Sequence, residues 1–229
     1  MKKPGILQAP HSFLGMLLFG FLTGIKGKEE VHPISPPHLN LWLDNLTRAR
    51  NARRARRLSH TCQGFIRPHD KILDIGMGKG SNAFQLQIDF QADIIGIDVI
   101  DYNRSPVPLV LYDGRTIPFD DNEFDVALVN GVLHHCDDPV RVFEEAVRVA
   151  RRVIIMEDVY TSRIHLQVIK LYDFLINFRH GVNTPFHFMA HADWMKIFAA
   201  FGLDIRAAER YSAKPFYSPM RAMFYVLDK

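Results

Sequence analysis

Between residues 71 and 158 short β-rich runs alternate with helical stretches, and few folds accommodate that order. The runs are KILDI (71–75), DIIGID (93–98), residues 109–112, FDVALVN (124–130) and RVIIMED (152–158). Helical compositions at 81–90 and 139–150 separate them, the second with an apolar face of Val140, Phe143, Val147 and Val149 or Ala150. Strands joined through helices pair in parallel with right-handed crossovers, and helices cover both faces of the sheet. In such sheets a ligand lies beyond the carboxyl ends of the strands, where the strand order reverses. The residues that follow each strand are therefore the ones expected to carry function.

Composition narrows the choice of partners. The 229 residues are 48% hydrophobic and 23% charged, an ordinary globular mix for one domain or a domain and a half. A chain of this size buries about 70% of its unfolded surface, so no disulfide or structural metal is needed. Cys62 and Cys136 show no Cys-x-x-Cys spacing, which fits a reducing compartment. A net charge of +3 is too mild to argue for nucleic acid, and none is expected as a partner.

The first forty residues stand apart. An apolar run at 13–25 (FLGMLLFGFLTGI) follows Lys2 and Lys3, but its thirteen residues fall short of the roughly 20 needed to cross a bilayer as a helix. Lys26, Lys28, Glu29 and Glu30 follow it with no Ala-x-Ala cleavage pattern, which argues against a signal peptide and for a cytoplasmic protein. The plainer reading is a helix packed over the domain. The sharper one is a segment that touches a membrane or lines a greasy acceptor pocket, so peripheral membrane contact through residues 1–30 stays open. Prolines at 33, 36 and 37 mark a linker. Residues 39–58 then read as a helix ending in Arg48, Arg50, Arg53, Arg54, Arg56 and Arg57, a solvated face first and an anion-facing surface for phospholipid or RNA as the alternative, although no nucleic-acid motif accompanies it.

The first strand ends in Asp74-Ile75-Gly76-Met77-Gly78-Lys79-Gly80-Ser81. Glycines there allow positive φ and close approach of a ligand to the backbone. Dinucleotide-binding loops use G-x-G-x-x-G at this place; here the third glycine follows the second after one residue, and Ser81 occupies the dinucleotide position. Asp74 would repel a pyrophosphate and attract an α-amino group. Asp98 closes the second strand, twenty-two residues after Gly76, where a carboxylate accepts two hydrogen bonds from ribose hydroxyls. Asp113 follows the third strand and can accept from an exocyclic amine such as adenine N6. Asn130, after the fourth strand, can reach the amino-acid portion of a ligand. The described ligand has an adenine, a ribose, an amino group and no phosphate, and S-adenosylmethionine fits.

ILDIGMGKG (72–80), IIGIDV (94–99) and YDGRTIPFDDNEFDVALVNGVLHHCDDP (112–139) together resemble the class I S-adenosylmethionine-dependent methyltransferases, in particular the type 11 group that includes ubiquinone-biosynthesis-like enzymes. FMAHADWMKIFAAFG (188–202) is similar, more loosely, to the late helix of that family. The resemblance implies an α/β fold: a Rossmann-like, seven-stranded, mostly parallel sheet in the order 3-2-1-4-5-7-6, its last two strands at 203–211 and 221–227. It implies a division into an N-terminal helical extension at 1–57, acting as a cap or lid, and a methyltransferase domain at 58–229. Carried over by position, Asp74, Gly76, Met77, Gly78 and Gly80 form the glycine motif, Asp98 holds the ribose, Val99 beside it is a further cofactor contact, Asp113 with Gly114 flanks adenine, and Asn130 lies at the fourth-strand edge. The chain departs from the family at Ala150-Arg151-Arg152, where a Pro-Gly-Gly turn is usual.

For a hydroxyl acceptor a general base adds roughly 10²–10⁴-fold to methyl transfer. The candidates are His134 and His135, with His135 favoured, and Glu157 beside Asp158. The plain alternatives are that the histidines cap a short helix and that the two acids cap a helix starting near Thr161. His180, His187, His191 and Asp193 lack metal-ligand spacing, and no metal is expected. The aromatic stretch at 172–188 reads as core and acceptor-pocket wall. The expected activity is methyl transfer to a small acceptor with an apolar portion. A protein that binds S-adenosylmethionine without turnover and an NAD-dependent oxidoreductase are the alternatives, the latter disfavoured by Asp74 and Ser81.

Overall fold

The computed structural model describes residues 37–177, 185–211 and 218–229. The apolar run at 13–25, the linker up to residue 36, Phe178 and His180 lie outside the described residues. Helix α1 (Pro37–Thr61) begins at the last linker proline, whose fixed φ and missing N–H suit the first helical position. There follow β1 (Lys71–Ile75), α2 (Ser81–Phe90), β2 (Asp93–Asp98), β3 (Leu109–Leu111) and β4 (Phe124–Asn130). A single 3-10 turn (Leu133–His135) leads to α3 (Pro139–Val149), β5 (Ala150–Tyr160) and α4 (Arg163–Asn177). The chain closes with β6 (Met189–Ala190), α5 (His191–Ala200), β7 (Asp204–Tyr211) and β8 (Ala222–Asp228).

The sheet runs β3-β2-β1-β4-β5-β8-β7, parallel except for β8, which is antiparallel to both its neighbours. This is the expected seven-strand path, with the two-residue β6 added beside β5. The fifth strand is longer than its apolar run suggests. Antiparallel pairing with β8 extends to Asp158↔Ala222, and pairing with β6 carries it to Tyr160. At its other end the missing Pro-Gly-Gly turn has a simple consequence: α3 stops at Val149 and the strand starts at Ala150 with no residue between.

Pleating divides each strand between two cores. Leu73, Ile75, Ala127, Val129, Val153 and Ile155 face one, shared with Phe143, Trp194 and Phe198. Ile72, Ile94, Val126, Leu128, Ile154 and Met156 face the other, shared with Leu58, Ala83 and Leu86. The buried residues of α3 are Pro139, Val142, Phe143, Ala146 and Val149, with Glu145 among them. Val140, expected on this face, is 37% exposed. The Asp138 side chain caps the helix by accepting from the Arg141 N–H, and the buried stripe runs through 142 and 146 instead. Glu145 is buried because it accepts from the Ile117 N–H and from Arg148, whose guanidinium also donates to the carbonyls of Ile117 and Phe119. That network pins the loop between β3 and β4, on which Asp113 rides.

Candidate active site

Strand order lines up the post-strand residues along one edge of the sheet. Asp113 follows β3, Asp98 ends β2, the glycine loop follows β1, Asn130 ends β4, and Glu157 lies near the end of β5. Alternation along each strand puts Asp74 with Ile72, Asp98 with Ile94, and Asn130 with Leu128, all toward the core that α1 and α2 cover. Three positions far apart in sequence thus share one face.

The glycine loop is held tightly from both sides. Gly76 and Met77 both donate their N–H to the Ile97 carbonyl, at 2.8 and 3.1 Å. Gly76 has φ +70°, and a Cβ there would collide with the Val132 side chain, so the loop and the turn after β4 are in close contact. Gly80, at φ +73°, leaves room for the side chains of Asn103 and Ser105 and opens α2 without a side-chain cap. The Gly78 N–H donates to Asp98 Oδ2 and the Val99 N–H to Asp98 Oδ1, each at 2.8 Å. Both carboxylate oxygens are therefore fixed in place while keeping lone pairs for ribose hydroxyls. The Met77 side chain is buried and lies over Gly96, where a Cβ would stand, and the residue also lines the cavity beside the loop.

Asp74 is buried, and its carboxyl is pushed up to about 7, first by burial and then by the charge of Asp98. A buried acid in this state is poised to take a cationic partner. Asp113 is exposed and accepts from the Arg115 and Thr116 N–H groups, both at 2.8 Å, which hold its carboxyl below the usual range. Gly114 faces Val99, and Val99 and Ile100 are exposed apolar side chains at the end of β2. A cavity of about 210 Å³ opens beside the loop, lined by Gly76, Lys79, Ser81 and Asn130 and roofed from α1 by Asn51 and Arg54. Arg54 is exposed like Arg50, Arg53, Arg56 and Arg57, as a solvated face requires, and borders the cavity from that face. Sequence reasoning missed the place of Arg54 because a helical run of arginines carries no mark of which one borders a cavity.

The other half of the site is built around Glu157. Its Oε1 accepts from the Val132 and Leu133 N–H groups at 2.7 Å, and its Oε2 is 2.6 Å from His134 Nδ1. Burial opposes both charges, yet each holds the other: Glu157 stays below its ordinary range, and His134 is raised by Glu157, Asp158 and Asp173. The His134 ring stacks on Phe188 at 4.5 Å and meets His135 at 4.1 Å. The histidines do not cap a helix; they are the 3-10 turn itself, and His135 is half-buried. Nor do Glu157 and Asp158 cap α4, where the Ser162 hydroxyl accepts from the His165 N–H. His187, His191 and Asp193 are not brought together: they bond the Cys136 carbonyl, Tyr225 and Lys196 in turn. The described residues instead gather His134, His135 and Asp173. The sequence signal for Asp173 was an acid on the inward face of α4, next to Ile169 and Tyr172.

Residues 73–153 match the family model described as a methyltransferase domain. Over those residues the chain carries a methyltransferase domain. S-adenosylmethionine is the cofactor of such a domain, and Asp74, Asp98 and the cavity beside the loop suit its ammonium and ribose. An uncharacterised protein of Methanocaldococcus jannaschii is 33% identical over 85 residues, 37% of this chain, and the match spans 42% of that protein's length. Among solved structures, one similar chain is from the complex of the Haloferax volcanii methyltransferase activator Trm112 with its candidate methyltransferase. It has a TM-score of 0.62 at 15% identity, covering 81% of this chain and 92% of that one. A methyltransferase of Methanosarcina mazei gives a TM-score of 0.57 at 18% identity over 74% and 96% of the two chains. The [4+2]-cyclase SpnF gives 0.58 at 17% over 76% and 80%. At such identities the likeness establishes the fold, which evidently hosts more than one chemistry.

Proposed function

We propose that the protein transfers a methyl group from S-adenosylmethionine to a small acceptor with an apolar portion. The observation that carries this reading is the buried Asp74 beneath a glycine loop tied to Asp98, an arrangement that disfavours a pyrophosphate and suits an α-ammonium group beside a ribose. When bound, S-adenosylmethionine supplies a methyl group already activated by positive sulfur. The chain's own work is then to bind, orient and exclude water. In this reading Asp98 receives the ribose hydroxyls, Asp74 the ammonium, and Arg54 with Asn51 the carboxylate. Asp113, Gly114 and Val99 border the adenine. His134, His135 and Glu157 form the acceptor end, with Glu157 acting as a positioning residue through the turn it holds.

Thermal unfolding with S-adenosylhomocysteine and NADH in parallel tests the cofactor. At 100 times its Kd a ligand adds about 2.7 kcal/mol, a rise of roughly 5–11 °C in Tm for a chain of this size. A rise with the thioether alone is expected; a rise with NADH alone would reverse the reading. Transfer of labelled methyl to an acceptor pool then separates turnover from mere binding.

The apolar character of the acceptor has its own support. Ile164, Val168, Leu171 and Leu175 are exposed along one stripe of α4, Ile164 to 79%. Such a stripe favours an acceptor met at an apolar surface and a protein able to touch membranes. Among the described residues no helix is long and apolar enough to cross one. Co-sedimentation with liposomes is expected to fall when Leu171 and Leu175 are both changed to Glu. Unchanged binding by that variant would remove α4 from the interaction.

A further inference from the structure

His134, His135 and Asp173 each offer a ligand atom, and these atoms all lie within 4.8 Å of one another. His134 and Asp173 are buried, at 4% and 2% exposure, while half-buried His135 keeps one side of the group accessible. Two imidazoles and one carboxylate are the donor set of zinc, iron(II), cobalt and manganese rather than of magnesium or calcium. Three protein ligands leave a position open for another molecule, as in catalytic rather than structural metal sites.

A separate feature points the same way. Histidine ligands in metal sites nearly always present their other ring nitrogen to a carboxylate, which fixes the tautomer and the ring plane. His134 does this: its Nδ1 is 2.6 Å from Glu157, which is itself anchored by two backbone N–H groups. The Phe188 ring stacked on His134 removes the remaining freedom of the imidazole, leaving Nε2 as the atom for a ligand. The surroundings are acidic as well, since Glu157, Asp158 and Asp173 all act on His134.

We propose that His134 Nε2, one ring nitrogen of His135 and the Asp173 carboxylate bind a divalent transition-metal ion of the zinc class, with Glu157 orienting His134. An ion about 2.0–2.1 Å from each nitrogen draws the three atoms together, which the half-buried His135 accommodates by side-chain rotation. The site stands on its own geometry. What it does rests on the methyl-transfer reading: at the acceptor end the ion holds an acceptor hydroxyl oxygen and favours its ionised form, the proton passing to solvent. That assigns His135 to metal ligation in place of the general-base role.

The test uses the full chain, stripped with a chelator, loaded with zinc or cobalt(II) and freed of excess by gel filtration. One equivalent of metal by elemental analysis is expected, with a cobalt absorption spectrum showing imidazole ligation. His135→Ala and Asp173→Ala should lose both, and Glu157→Gln should weaken retention about 10–100-fold. The Tm rise with S-adenosylhomocysteine should survive in His135→Ala and Asp173→Ala, which shows that each variant is folded. No retained metal in the wild type, or retention that these substitutions leave unchanged, overturns the proposal. Metal retained by a wild type that shows no S-adenosylhomocysteine shift would support the metal site and overturn the methyl-transfer reading alone.

Discussion

Replacing Asp98 with alanine is expected to weaken S-adenosylhomocysteine binding by roughly 10²–10⁴-fold. Two charge-assisted hydrogen bonds to ribose hydroxyls contribute about 1.5–3 kcal/mol each, and about 1.4 kcal/mol corresponds to tenfold in Kd. The substitution also frees the Gly78 and Val99 N–H groups, which the carboxylate now holds at 2.8 Å, so the loop loses its anchor as well as its ligand. Asp113→Ala is the comparison. Its carboxylate is exposed and already engaged by the Arg115 and Thr116 N–H groups, so a much smaller loss is expected. Isothermal titration of both variants checks this. Equal losses would move the anchor of the ribose away from the end of β2.

Asp74 gives the second large effect, and its sign follows from linkage. The folded carboxyl is pushed up to about 7 against 3.8 for a free aspartate, so between these values the folded state holds a proton that the unfolded state has released. Stability therefore falls as pH rises through this window, by about 1.4 kcal/mol per unit, and levels off above it. The full cost is roughly 4 kcal/mol in the unliganded protein at pH 8. Asp74→Asn should abolish this slope and leave the unliganded protein more stable than wild type at pH 8. It should also lose cofactor affinity, because the ammonium then meets a neutral amide. In the wild type, affinity for S-adenosylhomocysteine should climb with pH up to about 7 and then flatten, with one proton released on binding at lower pH. Denaturant unfolding between pH 5 and 8, with and without the ligand, tests both. A variant that kept the wild-type slope would assign the titration to another group.

These two residues also show how differently the two halves of the site could be read. The cofactor half consists of short stretches that immediately follow strands. Once alternation implied a parallel sheet, spacing alone put Asp74, Asp98, Asp113 and Asn130 on one edge. The bounds of β1, α2, β2 and β4 agree with their apolar runs because each is a local pattern buried by its immediate neighbours. Where partners come from a distance, the reading was less complete. The extension of β5 to Tyr160 needs β6 and β8, and the face that α3 buries departs at Val140 from its apolar count.

The amino-acid sequence by itself determined a parallel α/β sheet, the glycine loop and the kind of ligand its edge would receive, because these rest on hydrophobic period and on residues a few positions apart, while the strand order followed from the family resemblance. Only the tertiary structure decided that Arg54 of α1 borders the cavity, that Glu157 locks His134, and that Asp173 meets His134 and His135. Those contacts join elements separated by tens of residues. They depend on how each helix is rotated about its own axis when its apolar side finds the sheet, and no local pattern encodes that rotation.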